Sequence, residues 1–378
     1  MVGNRTIDLI CSGNISTTPR ARLFIQNGQK KGWSFRVFNL DRSPQWRQLD
    51  EKLIVDCNLE GKVFSTSLYK PFSIGRWLWN LARLCGAKPE PFVLKYWYLK
   101  KRKSKNPVSI FSAGAFPLIR HFEEIIHVDV EDFYPGEQQT INENSFLQKR
   151  FENQVEKVPV FSFSSPLFLP NINGKGFLVP NFSESWRPTA LERNEPILSI
   201  VWFGQIIGPN RGLEQVIQWV QEMAEVELVL FGVVREEIRK LAEGVQQVKF
   251  AGVRDEEELN QELSKFDVGL VADTGANWNN EILWSNKIAA YFQKGLPVLW
   301  SKTQGNKTFA EEFNVCGVPY SNKASFIWAI KELQENQKAL HLKALHSAEK
   351  FDREQYTFGK TFDQIEKCIN SISSLGSE

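Results

Sequence analysis

A chain of 378 residues exceeds what one ordinary hydrophobic core supports, so two domains are expected. Its 42% hydrophobic and 24% charged residues are those of a globular protein and exclude a disordered or fibrous chain. The net charge of +2 conceals a division: residues 1–180 carry 25 Lys and Arg against 16 Asp and Glu, a balance of +9, and the remainder stands at −7. A basic half of that kind suits an anionic surface or substrate. The five cysteines (Cys11, Cys57, Cys85, Cys316, Cys368) are scattered without metal-ligand spacing, so reduced thiols in a cytoplasm are expected and a bound metal is not. The start of the chain has no basic stretch followed by a long apolar run. No run reaches the ~18–20 residues of a membrane span, so neither a signal peptide nor a spanning helix is expected.

Thr6–Cys11 reads as a compact apolar strand, followed by a polar loop that holds Gly13 and Asn14. Thr18 as N-cap and Pro19 at the first helical position open a helix that runs to Gly28 or Gly32. Trp33–Leu40 and Lys52–Asp56 read as the next strands. Strand, glycine loop, helix and strand begin a doubly wound α/β domain, whose ligands bind beyond the strand C-termini. Gly13 would let a substrate approach the backbone there, although a Gly-Asn pair is also an ordinary turn.

Residues 66–106 interrupt the alternation. Phe72–Leu84 reads as an aromatic amphipathic helix flanked by arginine. After Phe92, Tyr96, Trp97 and Tyr98 come Lys100, Lys101, Arg102, Lys103 and Lys105 with no acid among them. Residues 72–105 could lie on an anionic membrane surface, or pack on the domain with a solvated basic tail. Strands resume at Pro107–Phe111 and Ile125–Val130. At the end of the second, Asp129, Glu131, Asp132 and Glu137 crowd four carboxylates into nine residues. Asp129 or Asp132 is the candidate acceptor-hydroxyl binder or base, set against a solvated acidic loop. Asn142–Glu156 reads as a helix, Val158–Phe163 as a strand and Ser164–Pro166 as another helix start. Asn181–Pro196 is a polar linker.

Ile197–Phe203 opens a second α/β domain, followed by a loop from Gly204 to Gly212 and a helix with Leu213, Val216, Ile217 and Val220 on one face. Val226–Gly232, Val248–Gly252 and Asp267–Ala272 are its further strands. Ser285 or Asn286 caps a short helix that Gly295 stops, and Pro297 and Val298 lead into a buried strand. The first turn of that helix presents free amides and a partial positive charge, able to hold a diphosphate. Lys287 places a cation where the helix disfavours one, which an anionic ligand would explain.

Taken together, Val201-Trp202-Phe203-Gly204-Gln205, Arg211-Gly212, Val229-Leu230-Phe231-Gly232, Val248 to Val253, Asp267-Val268-Gly269-Leu270, Asn286-Lys287 with Tyr291, and Gly295-Leu296-Pro297-Val298 resemble the nucleotide-sugar half of the group 1 (family 4-like) glycosyltransferases. The likeness covers about residues 197–300. It is looser in the first half, through Thr18-Pro19-Arg20, His127 to Asp132 and Val179-Pro180-Asn181. The resemblance implies the GT-B fold: two doubly wound Rossmann-like domains facing across a cleft, with a C-terminal helix crossing back. Its boundaries here would be 1–185 for an acceptor-binding domain with a basic aromatic insert at 66–106, 186–352 for a nucleotide-sugar-binding domain, and 353–378 for the returning helix.

The resemblance further implies transfer of a sugar from a nucleoside-diphosphate sugar, a co-substrate rather than a cofactor, to an acceptor hydroxyl, without a metal. Arg211 and Lys287 would neutralise the diphosphate, beside Gly204, Gln205, Gly232, Ser285 and Asn286. Gly13, Asn14 and Arg20 would lie on the acceptor side. Two departures stand out: Gln205 follows the glycine where the family often has arginine, and Ala290 occupies the place of the usual ribose-gripping glutamate. Glu281 is the nearest acid to that place. The expected setting is cell-surface polysaccharide or glycolipid assembly, in the cytoplasm or peripheral on the inner membrane face, with a glycan or lipid-linked acceptor and no nucleic acid. A non-catalytic relative acting as a membrane-associated partner, and a sugar-nucleotide epimerase, are the alternatives.

Overall fold

The computed structural model describes residues 5–42, 44–85, 89–102, 105–133, 145–190, 197–275 and 277–375. The chain divides into two compact units. The first contains β1 (Thr6–Cys11), α1 (Pro19–Lys30), β2 (Ser34–Asp41), α2 (Arg47–Asp56), β3 (Val63–Ser67), α3 (Ile74–Leu84), α4 (Pro89–Lys101), β4 (Val108–Phe111), β5 (Ile125–Val130), α5 (Ser145–Val155), β6 (Val160–Phe163) and β7 (Phe177–Leu178). The second contains β8 (Leu198–Ile207), α6 (Leu213–Val220), β9 (Val226–Val234), α7 (Glu236–Leu241), β10 (Val248–Gly252), α8 (Glu256–Leu263), β11 (Val268–Val271), α9 (Trp278–Ile282), α10 (Asn286–Lys294), β12 (Val298–Ser301), α11 (Gln304–Glu312), β13 (Gly317–Tyr320), α12 (Lys323–Glu335) and α13 (Gln337–Glu349). The last helix, α14 (Gly359–Leu375), belongs to the first unit.

Both sheets are parallel throughout. The first runs β3-β2-β1-β4-β5-β6-β7 and the second β10-β9-β8-β11-β12-β13. Helices cover both faces of such a sheet, so its central strands are apolar without alternation. Every residue of β1 and of β5 is accordingly buried. The winding reverses between β1 and β4 in one unit and between β8 and β11 in the other. These are the switch points beside which ligands bind in sheets of this kind.

Three expectations change. Lys52–Asp56 is the end of helix α2, and the third strand is Val63–Ser67. The apolar run Leu53-Ile54-Val55 suggested a strand, but Leu53 is buried while Val55 is 63% exposed, a helical pattern. Strand β8 runs on to Ile207, with its register shifted between Phe203 and Ile206, so Gly204 and Gln205 form an irregularity inside a strand. Pro166–Phe168 is a single tight turn.

The first unit ends at Val179, not at 185. Residues 181–186 are tied to the second unit. Gln293 exchanges hydrogen bonds with the Ser183 backbone (2.8 Å each), and Arg353 donates to the carbonyls of Glu184 (3.2 Å) and Trp186 (2.5 Å). Phe182 joins Phe292, Phe313 and Phe351 in an aromatic cluster. Of the expected linker, 191–196 lies outside the described residues, as do the start of the predicted helix at Asn142, Lys103 of the basic run and Glu137 of the acidic stretch.

The returning helix is anchored by its rings. Phe358, Phe362 and Ile365 are buried in the core formed by Ile7, Leu9, Phe24 and Phe35, and Phe362 lies 4.4 Å from Phe24 between ring centroids. Gly28 permits this, since a Cβ there would fall 2.4 Å from Phe35 and 2.6 Å from Phe362.

Candidate functional sites of the two units

In the second unit the chemistry-bearing groups gather at the C-terminal ends of β8 and β11. Helix α10 starts at Ser285, whose side chain makes no cap hydrogen bond, and it stops on Gly295 in the left-handed region (φ 70°). The amides of its first turn are therefore not capped by that hydroxyl. Lys287 sits in the first turn and is buried. Its Nζ lies 5.0 Å from the centroid of the Trp202 ring on β8 and 3.8 Å from Asp273 Oδ1, just past β11. Burial lowers the Lys287 pKa; Asp273 raises it in part, and the Arg211 charge lowers it further.

That coupling brings Arg211 into the same group. Arg211 is exposed and makes no hydrogen bond or ion pair among the described residues. Gly212 holds it there: its φ of 74° begins α6, and a Cβ on it would fall 1.8 Å from the Ala272 carbonyl oxygen. Only glycine fits such a close approach at positive φ. Gly204 and Gly232 also meet, because a Cβ on Gly232 would lie 2.2 Å from the Gly204 carbonyl oxygen. Gln205 is exposed on the strand irregularity. Asn286 is exposed and accepts a hydrogen bond from Asn181.

Glu281, the nearest acid to the place of the missing glutamate at Ala290, is engaged through one of its oxygens. Its Oε1 accepts the backbone amide of Gln304 (3.0 Å), the first residue of α11, and so serves a helix start. Ala290 is buried, and Tyr291 beside it is core. The Tyr291 hydroxyl donates to the Val201 carbonyl (2.9 Å), and its ring covers Gly269.

The first unit places its predicted residues differently. Arg20 and Asp129 form a bidentate pair, with Nε to Oδ2 and Nη2 to Oδ1 both 2.6 Å, and both side chains are almost fully buried. Arg20 also donates to the Val179 carbonyl and lies 5.3 Å from the Phe358 ring centroid. Ser162 donates a further hydrogen bond to Asp129. A carboxylate engaged in this way has no face for an acceptor hydroxyl, so the expected base role of Asp129 and ligand role of Arg20 give way to a structural one. The pair binds β5, α1, the end of the unit and the returning chain. Asn14 is likewise occupied: it donates to Asp50 (2.7 Å) and Asp41 (3.2 Å) and accepts from the Arg42 amide (3.0 Å). Around Gly13 there is room, since a Cβ would meet only Thr17 Oγ1 at 3.5 Å.

Two groups here were noted in the sequence without a role. His127 is buried between Ser109 Oγ (2.6 Å) and Ser162 Oγ (3.0 Å), stacked 4.8 Å from Phe24, and burial pushes its pKa down to about 3. Glu131, next to Asp132 at the exit of β5, is pushed up to about 8, first by burial and then by the Asp132 charge. Glu131 also raises the Cys11 thiol after burial does, which sets it near the end of β1. Among the described residues, no group of three His, Cys, Asp or Glu side chains could hold a metal ion.

No family model and no curated protein sequence matches the chain. Solved structures do. Sucrose-phosphate synthase from Thermosynechococcus elongatus aligns at 13% identity over 98% of this chain and 100% of its own, with a TM-score of 0.64. Staphylococcus aureus TarM, as a mutant in complex with fondaparinux, alpha-GlcNAc-glycerol and UDP, aligns at 10% identity over 97% and 99%, with a TM-score of 0.68. Anabaena HepE in complex with UDP and glucose aligns at 12% identity over 98% and 100%, with a TM-score of 0.64. These neighbours are GT-B glycosyltransferases, and the chain has their fold, two Rossmann-like domains of parallel sheet and surrounding helices.

The buried histidine makes a pH prediction. An unfolded His127 takes up a proton near pH 6.5, whereas the folded one stays neutral down to about 3. Stability of the first unit therefore falls as pH drops from 6.5 towards 3, by a few kcal/mol. Urea unfolding followed between pH 7 and 4 will show this slope, and a His127→Gln variant, less stable at pH 7, will show a shallower one.

Proposed function

We propose that the protein is a glycosyltransferase that moves a sugar from a nucleoside-diphosphate sugar to an acceptor hydroxyl, with the donor held by the second unit. The observation that carries the reading is the buried Lys287 in the uncapped first turn of α10, beside Asp273 at the switch point next to β11, with the exposed Arg211 beyond β8 as the second cation. As the bond from sugar to phosphate breaks, negative charge builds on the leaving diphosphate. Two cations and aligned amides placed where it builds stabilise the transition state more than the ground state. In this reading they do so without a metal. UDP is the nucleotide to test first, because TarM and HepE were both solved with it.

The acceptor falls to the first unit. With Asp129 closed by Arg20, Glu131 is, among the described residues, the acidic group at the β5 exit proposed to orient or deprotonate an acceptor hydroxyl, with Asp132 beside it. The setting proposed is polysaccharide or glycolipid assembly on an anionic membrane face. Helix α3 supports it, since Ile74, Trp77 and Leu84 form one exposed stripe while Gly75, Leu78 and Ala82 on the other side are buried. Phe72, just before the helix, is fully exposed and held at a φ of 63°, a backbone state that costs a bulky residue energy. Arg76 and Arg83 flank the stripe, and each cation near anionic lipid adds about 1 kcal/mol. No described helix is long and apolar enough to cross a membrane.

Three outcomes test this reading. Purified protein will bind UDP and hydrolyse or transfer from a nucleotide sugar. Arg211→Ala and Lys287→Ala will each lower turnover about 100-fold, the loss typical of one donor to a developing anion, without shifting the melting temperature of the free protein downward. A donor screen with no turnover and no nucleotide-induced stabilisation would remove the assignment. In the second test, transfer by the wild type will rise with pH up to about 8, as Glu131 loses its proton, and Glu131→Gln will flatten that limb. An unchanged profile moves the role to Asp132. In the third, co-sedimentation with phosphatidylglycerol vesicles will fall at least tenfold in a Phe72→Ser, Trp77→Ser double variant, and vesicles of phosphatidylcholine alone will capture little wild type. Equal capture of both proteins would end the membrane reading.

A further inference from the structure

Asp273 lies one residue beyond Ala272 at the end of β11, and nothing in the family resemblance assigns it a role. Its Oδ1 is 3.8 Å from Lys287 Nζ, a loose pairing, and its Oδ2 is buried without any hydrogen-bond partner. A buried carboxylate oxygen left unpaired is costly, and native structures rarely keep one without a ligand or water to satisfy it. It is also not alone. Trp202 Nε1 on β8, Trp300 Nε1 on β12 and Asn306 Oδ1 on α11 are buried without partners too. Trp202 and Asn306 are nine-tenths buried or more.

The main chain of Asp273 is tied to β12 and α11. Ser301 Oγ donates to the Asp273 carbonyl (2.6 Å), and Asn306 Nδ2 donates to the Ser301 carbonyl (3.1 Å). Trp300 pairs with Val271 on the sheet face opposite Trp202, whose ring carries the Lys287 cation. The backbone next to Asp273 is closely packed, with the Ala272 carbonyl against Gly212. A carboxylate with one free oxygen thus sits in contact with a lysine assigned to the diphosphate.

For a diphosphate alone, this placement is unfavourable. Like charges repel, and Asp273 competes for Lys287. A ligand that brings hydroxyl groups along with its phosphates resolves the conflict, because a hydroxyl donates to a carboxylate and the bond to a charged acceptor is among the stronger ones. The chain also lacks the glutamate that would do this from position 290, where Ala290 stands.

We propose that Asp273 is the hydroxyl-binding residue of the donor site: Oδ2 accepts a hydrogen bond from a hydroxyl of the bound nucleotide sugar, on its ribose or its sugar, while Lys287 turns to the phosphates. This rests on the glycosyltransferase reading of the same site. In it, Asp273 selects hydroxyl-bearing diphosphates against bare ones.

Calorimetric titration of wild type, Asp273→Ala and Asp273→Asn with inorganic pyrophosphate, UDP and UDP-glucose tests it without recourse to turnover. Pyrophosphate, which has no hydroxyl, will bind Asp273→Ala more tightly than wild type. UDP-glucose will bind Asp273→Ala at least fivefold more weakly, and Asp273→Asn, which keeps an acceptor oxygen, will recover part of that loss. A matching loss with UDP assigns the bond to the ribose, and a loss confined to UDP-glucose assigns it to the sugar. Tighter or unchanged binding of all three ligands to Asp273→Ala overturns the inference and leaves Asp273 a counter-ion to Lys287. Wild type that binds none of the three overturns the donor reading itself, and melting curves of the free variants separate misfolding from either result.

Discussion

Every strand of both sheets is parallel, and the consequences start there. Parallel strands bring all their C-terminal ends to one edge, where the chain must leave the sheet and polar groups collect. The two units treat that edge in opposite ways. In the first, polar groups satisfy one another: Arg20 grips Asp129, Ser162 bridges Asp129 to His127, and Ser109 completes the row. In the second, Lys287 has only a ring and a distant carboxylate, and Arg211 is free among the described residues. A satisfied edge contributes rigidity. An unsatisfied one is tolerated where a ligand completes it.

Charge burial makes the contrast sharper. Removing one member of a buried pair such as Arg20–Asp129 typically costs about 3–5 kcal/mol, because the survivor is left uncompensated. That sum is a large part of a domain's stability, which explains why such a pair is unsuited to proton transfer: any change in its protonation is a change in folding. Lys287 is different. Its partner is 3.8 Å away, so it gives up little by turning to a phosphate.

Most of the architecture was legible because it rests on local rules. Gly295 stops α10 in the left-handed region, Pro19 starts α1, and the apolar face of Leu213, Val216, Ile217 and Val220 is buried as its spacing requires. Lys287 could be picked out because a cation at a helix start asks for an anion, and Arg211 only through the family resemblance. Long-range pairing was not legible. Arg20 and Asp129 are 109 residues apart, and nothing near either announces the other. Sequence reasoning singled out Asp129 or Asp132 among the crowded carboxylates, while the fold closes Asp129 and leaves Glu131 half-buried with a raised pKa. Leu53-Ile54-Val55 misled for the opposite reason: three apolar neighbours match a strand locally, and only burial of Leu53 with exposure of Val55 reveals the helix.

The missing glutamate at Ala290 takes on a different meaning in this light. A carboxylate on α10 would share the helix with Lys287 and project from its second turn. Asp273 approaches the same lysine from the end of β11 instead, on a backbone packed against Gly212. In the proposed site an acid at a strand end keeps one negative group near the cation, and Tyr291 packs over Gly269 and against Phe203 on a different face of α10 from Ala290. The proposed relocation would preserve the electrostatics of the site, because a carboxylate acts through its position relative to the charge and the hydroxyl it meets, not through the element that carries it.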